Sequence, residues 1–583
     1  MNNWKNTLSN SYFSILIIGL VSVIFITQFA WKGNDGKGYS RIIASDGVGY
    51  YYYLPNTLLS KTIGNQTPDK RFFNEVNEKG VNKYYVGTAV AMSPFFMLGH
   101  MIAISNGDEL TGFSAAYHKS ISLAGLFYLL GGLLFFRAFL RQYQLKEWVI
   151  SATLLLLFFG TNLLAYAVLM PSMSHIYSFF FVSGFLFFAK RFSSTNKSSD
   201  LYLGMAFLAM IILIRPLNGI IIFALPFLAG SWVALKELFL AIFKPKRIVI
   251  SLVILFSILF VQAYFWYLQC GKWIVWSYGN EGFYFLKPYL WEVLFSFRKG
   301  AFIYTPFLVA TVIGLVALVR KNKFKGWSLF LFFALLVYLV SSWWNWYYGP
   351  SFGQRPFVEF YGLSGLLIAF AFCFIQKRTA KIALISFSFL CVFLNLIQTY
   401  QYHKGIISSW DMTAKKYGYT FLKTGDEFIN CLGGNDDIML YNAKKRLVYN
   451  NQITFDNEQN GQLNYTNKEF KFEITIPADE SFITQRGVYV KARLKRKDLE
   501  KSRKNGALFV VEIFDDLGKK YHYGTFPVSE IPPRNTEDWN WEEFAIEIQE
   551  IKSPTDKIKI YIWNQEKQPF LIDDLSLKIM AID

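Results

Sequence analysis

The sequence predicts a multi-pass α-helical membrane bundle followed by an antiparallel β-sandwich that lies outside the cytoplasm. Hydrophobic residues make up 53% of the 583 residues, a larger share than in ordinary soluble domains. Several charge-free stretches reach the roughly 20 residues that a spanning helix needs, whereas apolar and polar side chains alternate beyond about residue 421. The charge-free stretches are residues 6–31, 148–174, 248–271 and 327–348.

The net charge of +18 belongs to the membrane part and does not indicate a nucleic-acid partner. From Lys404 onward there are 26 basic and 28 acidic residues, which leaves 33 basic and 13 acidic residues before it. The basic excess falls in short segments between predicted helices, a pattern typical of cytoplasmic loops beside a lipid bilayer. These segments are 137–146, 190–197, 236–247, 320–325 and 377–381.

Placing the basic segments inside predicts about eleven crossings of the cytoplasmic (inner) membrane, with the N-terminus in the cytoplasm and the C-terminal domain outside. The apolar run 86–104 does not fit as a further crossing, because it lies in the first external segment. We expect a juxtamembrane or re-entrant element there. The predicted spans are 12–30, 120–136, 149–169, 176–189, 201–214, 217–235, 248–269, 301–319, 327–344, 358–375 and 382–400.

The first external segment contains a candidate catalytic acid, Asp46, which is followed by Gly47 and then by a run of four tyrosines. A carboxylate there could act as a general base among aromatic faces that stack on sugar rings. Tyr50, Tyr51 and Tyr52 are therefore candidate sugar contacts. The alternative interpretation is an Asx turn that ends at Gly47, beside tyrosines of the membrane interface.

Several cations are predicted on the external side, where the positive-inside rule disfavours them, and this indicates a phosphate-binding role. The predicted spans 176–189 and 201–214 are short, so His175 and Arg215 would be recessed in the outer leaflet at the depth of a lipid phosphate. A lone histidine in a turn is, however, more often structural. The candidate ligands of the donor phosphate are Arg215, Arg355, His175, Arg298 and Lys299.

The later external segments are rich in aromatic residues that could contact a sugar or an acceptor. Trp346 and Tyr347 lie in the run 343–356, and Glu281 lies among the aromatic residues of the preceding external segment. Tryptophan and tyrosine at a membrane edge more often form the interfacial belt, and this alternative stays open.

The external acid, the Arg215-Pro216 pair and the late segment WWNWYYGPSFGQR together resemble the GT-C superfamily of membrane glycosyltransferases, especially its protein O-mannosyltransferase and aminoarabinose-transferase branch. The resemblance covers roughly residues 1–400. It implies a sugar donor carried on a polyprenyl phosphate, inverting transfer on the external face, and Asp46 as the base that deprotonates an acceptor hydroxyl. The acceptor stays open between a glycan, a lipid and a protein.

The resemblance also leaves the metal requirement open. The acid pair common in that branch is altered here, because Gly47 follows Asp46. No cofactor is therefore certain, and a divalent metal stays open. The predicted organisation is a polytopic glycosyltransferase-like domain at 1–403, a linker at 404–420 and an extracytoplasmic β-sandwich at 421–583.

Six short stretches with period-two alternation predict strands of the C-terminal domain, and its ending resembles the last strands of carbohydrate-binding jelly-roll modules. Aromatic residues of this domain could form a sugar-stacking platform, although alternate aromatics in a sandwich are more often core. The predicted strands are 470–476, 488–494, 507–514, 544–548, 558–563 and 575–579. The candidate platform residues are Trp539, Trp541, Tyr521, Tyr523 and Trp563.

Two other classes of function were weighed against a transferase. A flippase or exporter of a lipid-linked glycan would also use buried cations. It would not need an external carboxylate beside tyrosines, and the internal repeats usual in such carriers are not detected in the sequence. A non-catalytic envelope protein would need fewer spans and no recessed charges. The sequence therefore favours an enzyme that transfers a sugar.

Overall fold

A computed structural model of the protein forms two compact units, Met1–Thr399 and Tyr400–Asp583. A short helix, Ala414–Thr420, occupies the end of the range predicted as a linker. The domain boundaries at 403 and 421 stay predictions. The residues that the structure describes are 10–33, 36–63, 72–279, 281–433, 445–458, 461–484, 487–502, 506–532, 538–548 and 551–582.

The first unit consists mainly of apolar helices, and the chain is a multi-pass membrane protein. Among the described residues, seven helical stretches are long and apolar enough to cross a membrane, namely Ser11–Ala30, Gly87–Asn106, Ala115–Arg141, Pro245–Cys270, Lys323–Ser342, Arg355–Phe374 and Arg378–Lys404. The helices up to residue 214 are α1 (Ser11–Phe25), α2 (Asp46–Tyr51), α3 (Tyr53–Leu58), α4 (Gly87–Asn106), α5 (Ala115–Arg141), α6 (Glu147–Phe159), α7 (Ser174–Thr195) and α8 (Ser198–Ile214).

The remaining helices of the chain follow after residue 224, and several irregular helices interrupt the series. The α-helices are α9 (Leu225–Ala229), α10 (Trp232–Ile242), α11 (Pro245–Cys270), α12 (Leu290–Phe295), α13 (Ala301–Tyr304), α14 (Leu308–Lys321), α15 (Lys323–Ser342), α16 (Tyr361–Phe374), α17 (Arg378–Lys404) and α18 (Ala414–Thr420). Ile26–Ala30 and Ala165–Leu169 are π-helices, and Gly38–Arg41, Pro216–Ala224 and Arg355–Phe360 are 3-10 helices. A two-stranded hairpin, β1 (Phe73–Val76) with β2 (Lys79–Asn82), lies in the segment predicted to be the first external one.

Several predicted spans are not single continuous α-helices. The span 149–169 breaks after Phe159, and the span 301–319 breaks at Pro306. The spans 217–235 and 358–375 begin as 3-10 helices, and the span 12–30 ends as a π-helix. Proline lacks a backbone N–H and clashes with the preceding turn, which accounts for the break at Pro306. The number of crossings stays a prediction.

A side chain from α17 satisfies the break after α6. The Asn395 amide donates to the carbonyl oxygens of Phe159 at 2.9 Å and of Thr161 at 2.8 Å. These carbonyls have lost their partners along the helix, and a buried carbonyl without a partner is costly in a membrane. The break after α6 is therefore stabilised by specific hydrogen bonds from Asn395.

The apolar run 86–104 forms one continuous helix, α4, rather than a re-entrant loop. By length and composition, α4 is one of the stretches that could cross a membrane. It packs antiparallel to the N-terminal half of α5, where Tyr128 donates to the carbonyl oxygen of Ala91 at 2.9 Å and Gly99 lies against Tyr117.

The second unit contains two antiparallel sheets that share one hydrophobic core. The strand order is β5-β10-β7-β8 in one sheet and β3-β11-β6-β9 in the other, with β4 paired to β11. All six predicted stretches lie within strands, whereas β3, β4 and β8 were not predicted. The strands are β3 (Lys445–Ile453), β4 (Leu463–Asn464), β5 (Phe470–Pro477), β6 (Val488–Asp498), β7 (Ala507–Phe514), β8 (Lys520–Pro527), β9 (Asn540–Ile548), β10 (Lys557–Asn564) and β11 (Phe570–Ile582).

Helices α14 and α16 approach each other closely at Gly314. A Cβ atom added there would lie 1.8 Å from the carbonyl oxygen of Leu367. The obstructing atom belongs to the backbone and cannot rotate away, so this helix contact depends on the missing side chain.

Replacing Gly314 by alanine should push α14 and α16 apart. We expect the free energy of unfolding to fall by about 1–3 kcal/mol, measured as a lower Tm of the detergent-solubilised protein. Gly204→Ala in α8 is the matched control, because its added Cβ would come no closer than 3.7 Å to a neighbouring atom. Equal Tm values for the two variants would contradict the close contact.

Candidate active site

Asp46 begins helix α2 directly after Ser45, whose φ of 51° turns the chain. Two side chains distant in sequence hold its carboxylate. The Tyr84 hydroxyl donates to Oδ1 at 2.8 Å, and the Arg355 guanidinium pairs with Oδ2. Gly49 lets Tyr84 come this close, because an added Cβ would lie 2.3 Å from the tyrosine ring.

The environment of Asp46 keeps its carboxylate ionised. Burial raises the pKa of this carboxyl, but the Arg355 guanidinium, the Tyr84 hydrogen bond and the charge of Lys83 together lower it by more, so the pKa lies below the ordinary value for aspartate. The Asp46 side chain is 24% exposed, whereas that of Arg355 is 8% exposed. The site thus presents a charged and partly exposed carboxylate.

A second group of charges surrounds Glu359, which lies one helical turn after Arg355 in the 3-10 helix Arg355–Phe360. The Glu359 side chain is fully buried. Its Oε1 contacts His175 Nδ1 at 2.9 Å and Arg215 Nη1 at 3.0 Å. The predicted phosphate ligands His175 and Arg215 thus converge on one carboxylate that sequence reasoning missed.

Tyr50 connects the two groups of charges. The Tyr50 hydroxyl accepts a hydrogen bond at 3.2 Å from Ser174, the residue before His175. The centroid of the Tyr50 ring lies 4.6 Å from that of the Tyr84 ring. The predicted site residues Asp46, Tyr50 and Arg355 therefore lie together with His175 and Arg215, although they come from separate parts of the chain.

Glu281 lies beside this site in a third charged group. Its Oε1 pairs with Lys83 at 3.2 Å, and its Oε2 accepts a hydrogen bond from the Trp344 indole at 3.1 Å. The side chains of Lys83 and Glu281 are 18% and 26% exposed. A partly exposed carboxylate beside an indole suits the hydroxyls and the apolar face of a sugar ring.

The other two predicted cations, Arg298 and Lys299, contact the segment that precedes Arg355 in the chain. The Arg298 guanidinium lies 3.7 Å from the centroid of the Tyr347 ring. The Lys299 ammonium donates to the carbonyl oxygen of Ser351. Trp346 is buried, with its ring centroid 5.9 Å from that of Tyr289.

Tyr51 and Tyr52, predicted as sugar contacts, pack within the first external segment. Tyr51 is fully buried, and its hydroxyl donates to the carbonyl oxygen of Gly112 at 2.5 Å. Tyr52 lies edge-on to Phe72 and Phe113. Consecutive residues of a helix point in different directions, and Tyr51 points away from Tyr50. Tyr52 packs against the aromatic cluster that includes Tyr50 and Tyr84.

Three residues of this region were missed by the sequence analysis, and only one of them carries a signal in the sequence. Glu359 is an acid at the start of the otherwise apolar span 358–375, and an ionisable residue in such a place is a functional candidate by default. Lys83 and Tyr84 follow a short hairpin and belong to no motif, so only their three-dimensional contacts reveal them.

A metal site was left open by the sequence. Within the parts of the chain that the structure describes, no group of three or more His, Cys, Asp or Glu side chains is placed to hold a metal ion. Asp46 and Glu359 are both paired with arginines, and Asp574 of the second unit is paired with Lys495.

The candidate sugar platform of the second unit does not form as one surface. Tyr523 belongs to β8 and Trp563 to β10, which share one sheet, whereas Trp541 belongs to β9 of the other sheet. Trp541 lies under the guanidinium of Arg493, with 4.1 Å between the guanidinium carbon and the ring centroid. The candidate platform residues are therefore divided between the two sheets.

Comparisons with known proteins give distant structural likenesses alone. No protein-family model matches the chain, and no curated protein matches its sequence. Among solved structures, the oligosaccharyltransferase of Archaeoglobus fulgidus in its apo form has a TM-score of 0.42 and 13% identity, over 71% of this chain and 60% of that one. The oligosaccharyltransferase AglB from the same organism, in complex with an inhibitory peptide and a dolichol-phosphate, has a TM-score of 0.38 and 12% identity, over 70% and 57%.

A third similar structure is the arabinosyltransferase EmbB from Mycobacterium smegmatis, with a TM-score of 0.34 and 12% identity, over 92% of this chain and 63% of that one. The chain spans less than two thirds of the length of these three structures. TM-scores below 0.5 assign no residue, donor or acceptor to this chain.

Replacing Glu359 by glutamine should destabilise the first unit, because the buried negative charge between Arg215 and His175 is lost. We expect a decrease of about 3 kcal/mol in the free energy of unfolding, read as a lower Tm in detergent. Glu147→Gln is the matched control, since Glu147 also pairs with two arginines but its side chain is 38% exposed. That variant should lose less, because water reaches the Glu147 side chain and its partner Arg141, although its other partner Arg137 is buried. A Tm decrease no larger for Glu359→Gln would refute the role of the buried pair.

Proposed function

We propose that this chain is a membrane glycosyltransferase that moves a sugar from a polyprenyl-phosphate donor to an acceptor on the extracytoplasmic face of the cytoplasmic membrane. The observation that carries the proposal is the convergence of a partly exposed carboxylate, Asp46, with two arginines, Arg215 and Arg355. A base and a pair of phosphate ligands are the groups that such a transfer needs.

The proposed reaction is an inverting displacement. The Asp46 carboxylate takes the proton of an acceptor hydroxyl, whose oxygen attacks the anomeric carbon of the donor sugar. The bond from that carbon to the phosphate oxygen breaks, and its electron pair leaves with the polyprenyl phosphate. The guanidinium groups of Arg215 and Arg355 stabilise the negative charge that grows on the phosphate, and their low-dielectric surroundings strengthen this attraction.

The remaining residues are assigned supporting roles. Glu359 and His175 fix the position of Arg215. Tyr84 fixes the Asp46 carboxylate, and Tyr50 and Glu281 are kept as sugar or acceptor contacts. We assign Arg298 and Lys299 to the support of the segment around Arg355, and the packed side chains of Tyr51, Tyr52, Trp346 and Tyr347 to the walls of the site.

The second unit is proposed to lie outside the cytoplasm, with the N-terminus inside. Its strand order, with the first and last long strands β3 and β11 adjacent, fits a jelly-roll-like sandwich. Such a domain is suited to hold a glycan, lipid or protein acceptor near the membrane.

Asp46→Asn should abolish sugar transfer while the protein stays folded, because the amide cannot accept the proton. We expect the rate to fall by about 10³-fold, measured with the purified protein and lipid-linked donors extracted from its own membranes. Asp200→Asn is the matched control, because Asp200 pairs with Arg191 at 3.1 Å in another part of the first unit.

The envelope of a deletion strain then separates the classes of function. A sugar missing from one glycan, lipid or protein would identify the donor and the acceptor together. An accumulated intermediate inside the cell, with Asp46→Asn restoring the normal envelope, would instead indicate an exporter and overturn the proposal. An unchanged envelope would favour a non-catalytic protein.

The kcat/KM for transfer, which reports the ionisation of the protein before the donor binds, should stay constant as the pH falls from 7 to 5. The pKa of Asp46 is lowered, so the carboxylate remains ionised above the ordinary aspartate range and loses its basic form only below it. A phosphodiester donor also stays ionised over this interval. A decline near pH 6.5 would indicate a histidine as the base, because that is the ordinary histidine range, and would remove Asp46 from the proposed role.

A further inference from the structure

The two arginines of the site are paired with carboxylates of different accessibility. Arg215 is paired with Glu359, which is fully buried and also contacts His175. Arg355 is paired with Asp46, whose side chain is 24% exposed. A substrate can therefore compete for Arg355 by approaching from the exposed side, whereas the partner of Arg215 is enclosed.

The Arg355 guanidinium has hydrogen-bonding capacity beyond its pair with Asp46. Its Nε is buried and has no hydrogen-bond partner among the described residues. Its Nη1 faces the sulfur of Met173 at 3.7 Å, and a thioether is a weak acceptor. Guanidinium groups bind phosphate through two parallel N–H donors, so Arg355 offers more to a phosphate than it now gives to Asp46.

The same ion pair opposes the proposed role of Asp46 as a base. A carboxylate that accepts a hydrogen bond on each oxygen, one from a guanidinium and one from a tyrosine hydroxyl, is a weaker base than a free carboxylate. Asp46 would become more basic as soon as another anion took Arg355.

We infer that the donor phosphate displaces Asp46 from Arg355, and that this exchange readies Asp46 to accept the proton of the acceptor hydroxyl. The inference rests on the proposed function. The exchange itself breaks and forms no covalent bond. After transfer, the departing polyprenyl phosphate takes up the proton from Asp46, and Arg355 returns to the carboxylate. The donor would thus have to bind before the base is available.

The test measures how tightly the full chain in lipid nanodiscs binds farnesyl phosphate, a short polyprenyl phosphate. Asp46→Asn removes the competitor for Arg355, so we expect the Kd to fall by about tenfold. Arg355→Gln should raise the Kd. In the Arg355→Gln background, adding Asp46→Asn should change the Kd by less than about twofold, because the arginine for which the two anions compete is absent.

Controls keep the outcome specific. Asp200→Asn, which removes a paired aspartate elsewhere in the unit, should leave the Kd unchanged. Inorganic phosphate should bind more weakly than farnesyl phosphate if the site takes a lipid-linked phosphate, and equal affinities would assign it to free phosphate. If Asp46→Asn does not fold, as judged by its Tm, Asp46→Ser takes its place.

The possible results separate the two proposals. Binding by the wild type with no gain, or with a loss, in Asp46→Asn would overturn the exchange and leave the transferase assignment standing. A gain that persists in the Arg355→Gln background would also overturn the exchange, because general electrostatics would then explain it. No binding of farnesyl phosphate by any variant would overturn both the exchange and the donor assignment.

Discussion

The ion pair between Asp46 and Arg355 holds together the two parts of the chain on which the site depends. One partner begins the short helix α2 near the N-terminus, and the other begins a 3-10 helix more than three hundred residues later. Without this contact, nothing in the local sequence of either segment would bring a carboxylate and a guanidinium together. The pair therefore connects the segments around Asp46 and Arg355, and it is the centre of the proposed chemistry.

A charged side chain buried in the helical bundle must be paired with an opposite charge. This constraint explains the other ion pair of the site. Removing one charged partner of a buried pair leaves the other uncompensated at a cost of several kcal/mol. Glu359 pairs with Arg215 and also contacts His175, and Asp46 pairs with Arg355. Buried ion pairs add little to fold stability, because well-packed apolar side chains of similar volume would stabilise the fold equally well. The buried charges are therefore in keeping with the proposed function.

Local pattern predicted much of the fold and part of the site. The long apolar stretches became helices, and the six alternating stretches became strands, because hydrophobic periodicity is a local property. An ionisable residue at the predicted external end of an apolar stretch is conspicuous. For this reason the sequence indicated Asp46, His175, Arg215 and Arg355. Their pairing could not be found, since the choice between Glu359 and Asp46 as the partner of each arginine is made by tertiary packing. Tyr84 was missed for the same reason.

Irregular helices lie next to three of the predicted site residues. His175 follows the π-helix Ala165–Leu169, Arg215 precedes the 3-10 helix Pro216–Ala224, and Arg355 begins another 3-10 helix. Irregular backbone within a membrane is tolerated where protein satisfies the freed polar groups.

Two of these irregular segments satisfy one another. The Tyr166 hydroxyl, in the π-helix, donates to the carbonyl oxygen of Phe352 at 3.0 Å, and the Asn162 amide donates to the same oxygen at 3.1 Å. The segment before Arg355 is thereby fastened to the segment before His175. If residue 352 lay in a continuous helix, its carbonyl oxygen would accept a bond within that helix and would not be free for both donors. The irregular backbone before Arg355 thus helps to place Arg355 near His175.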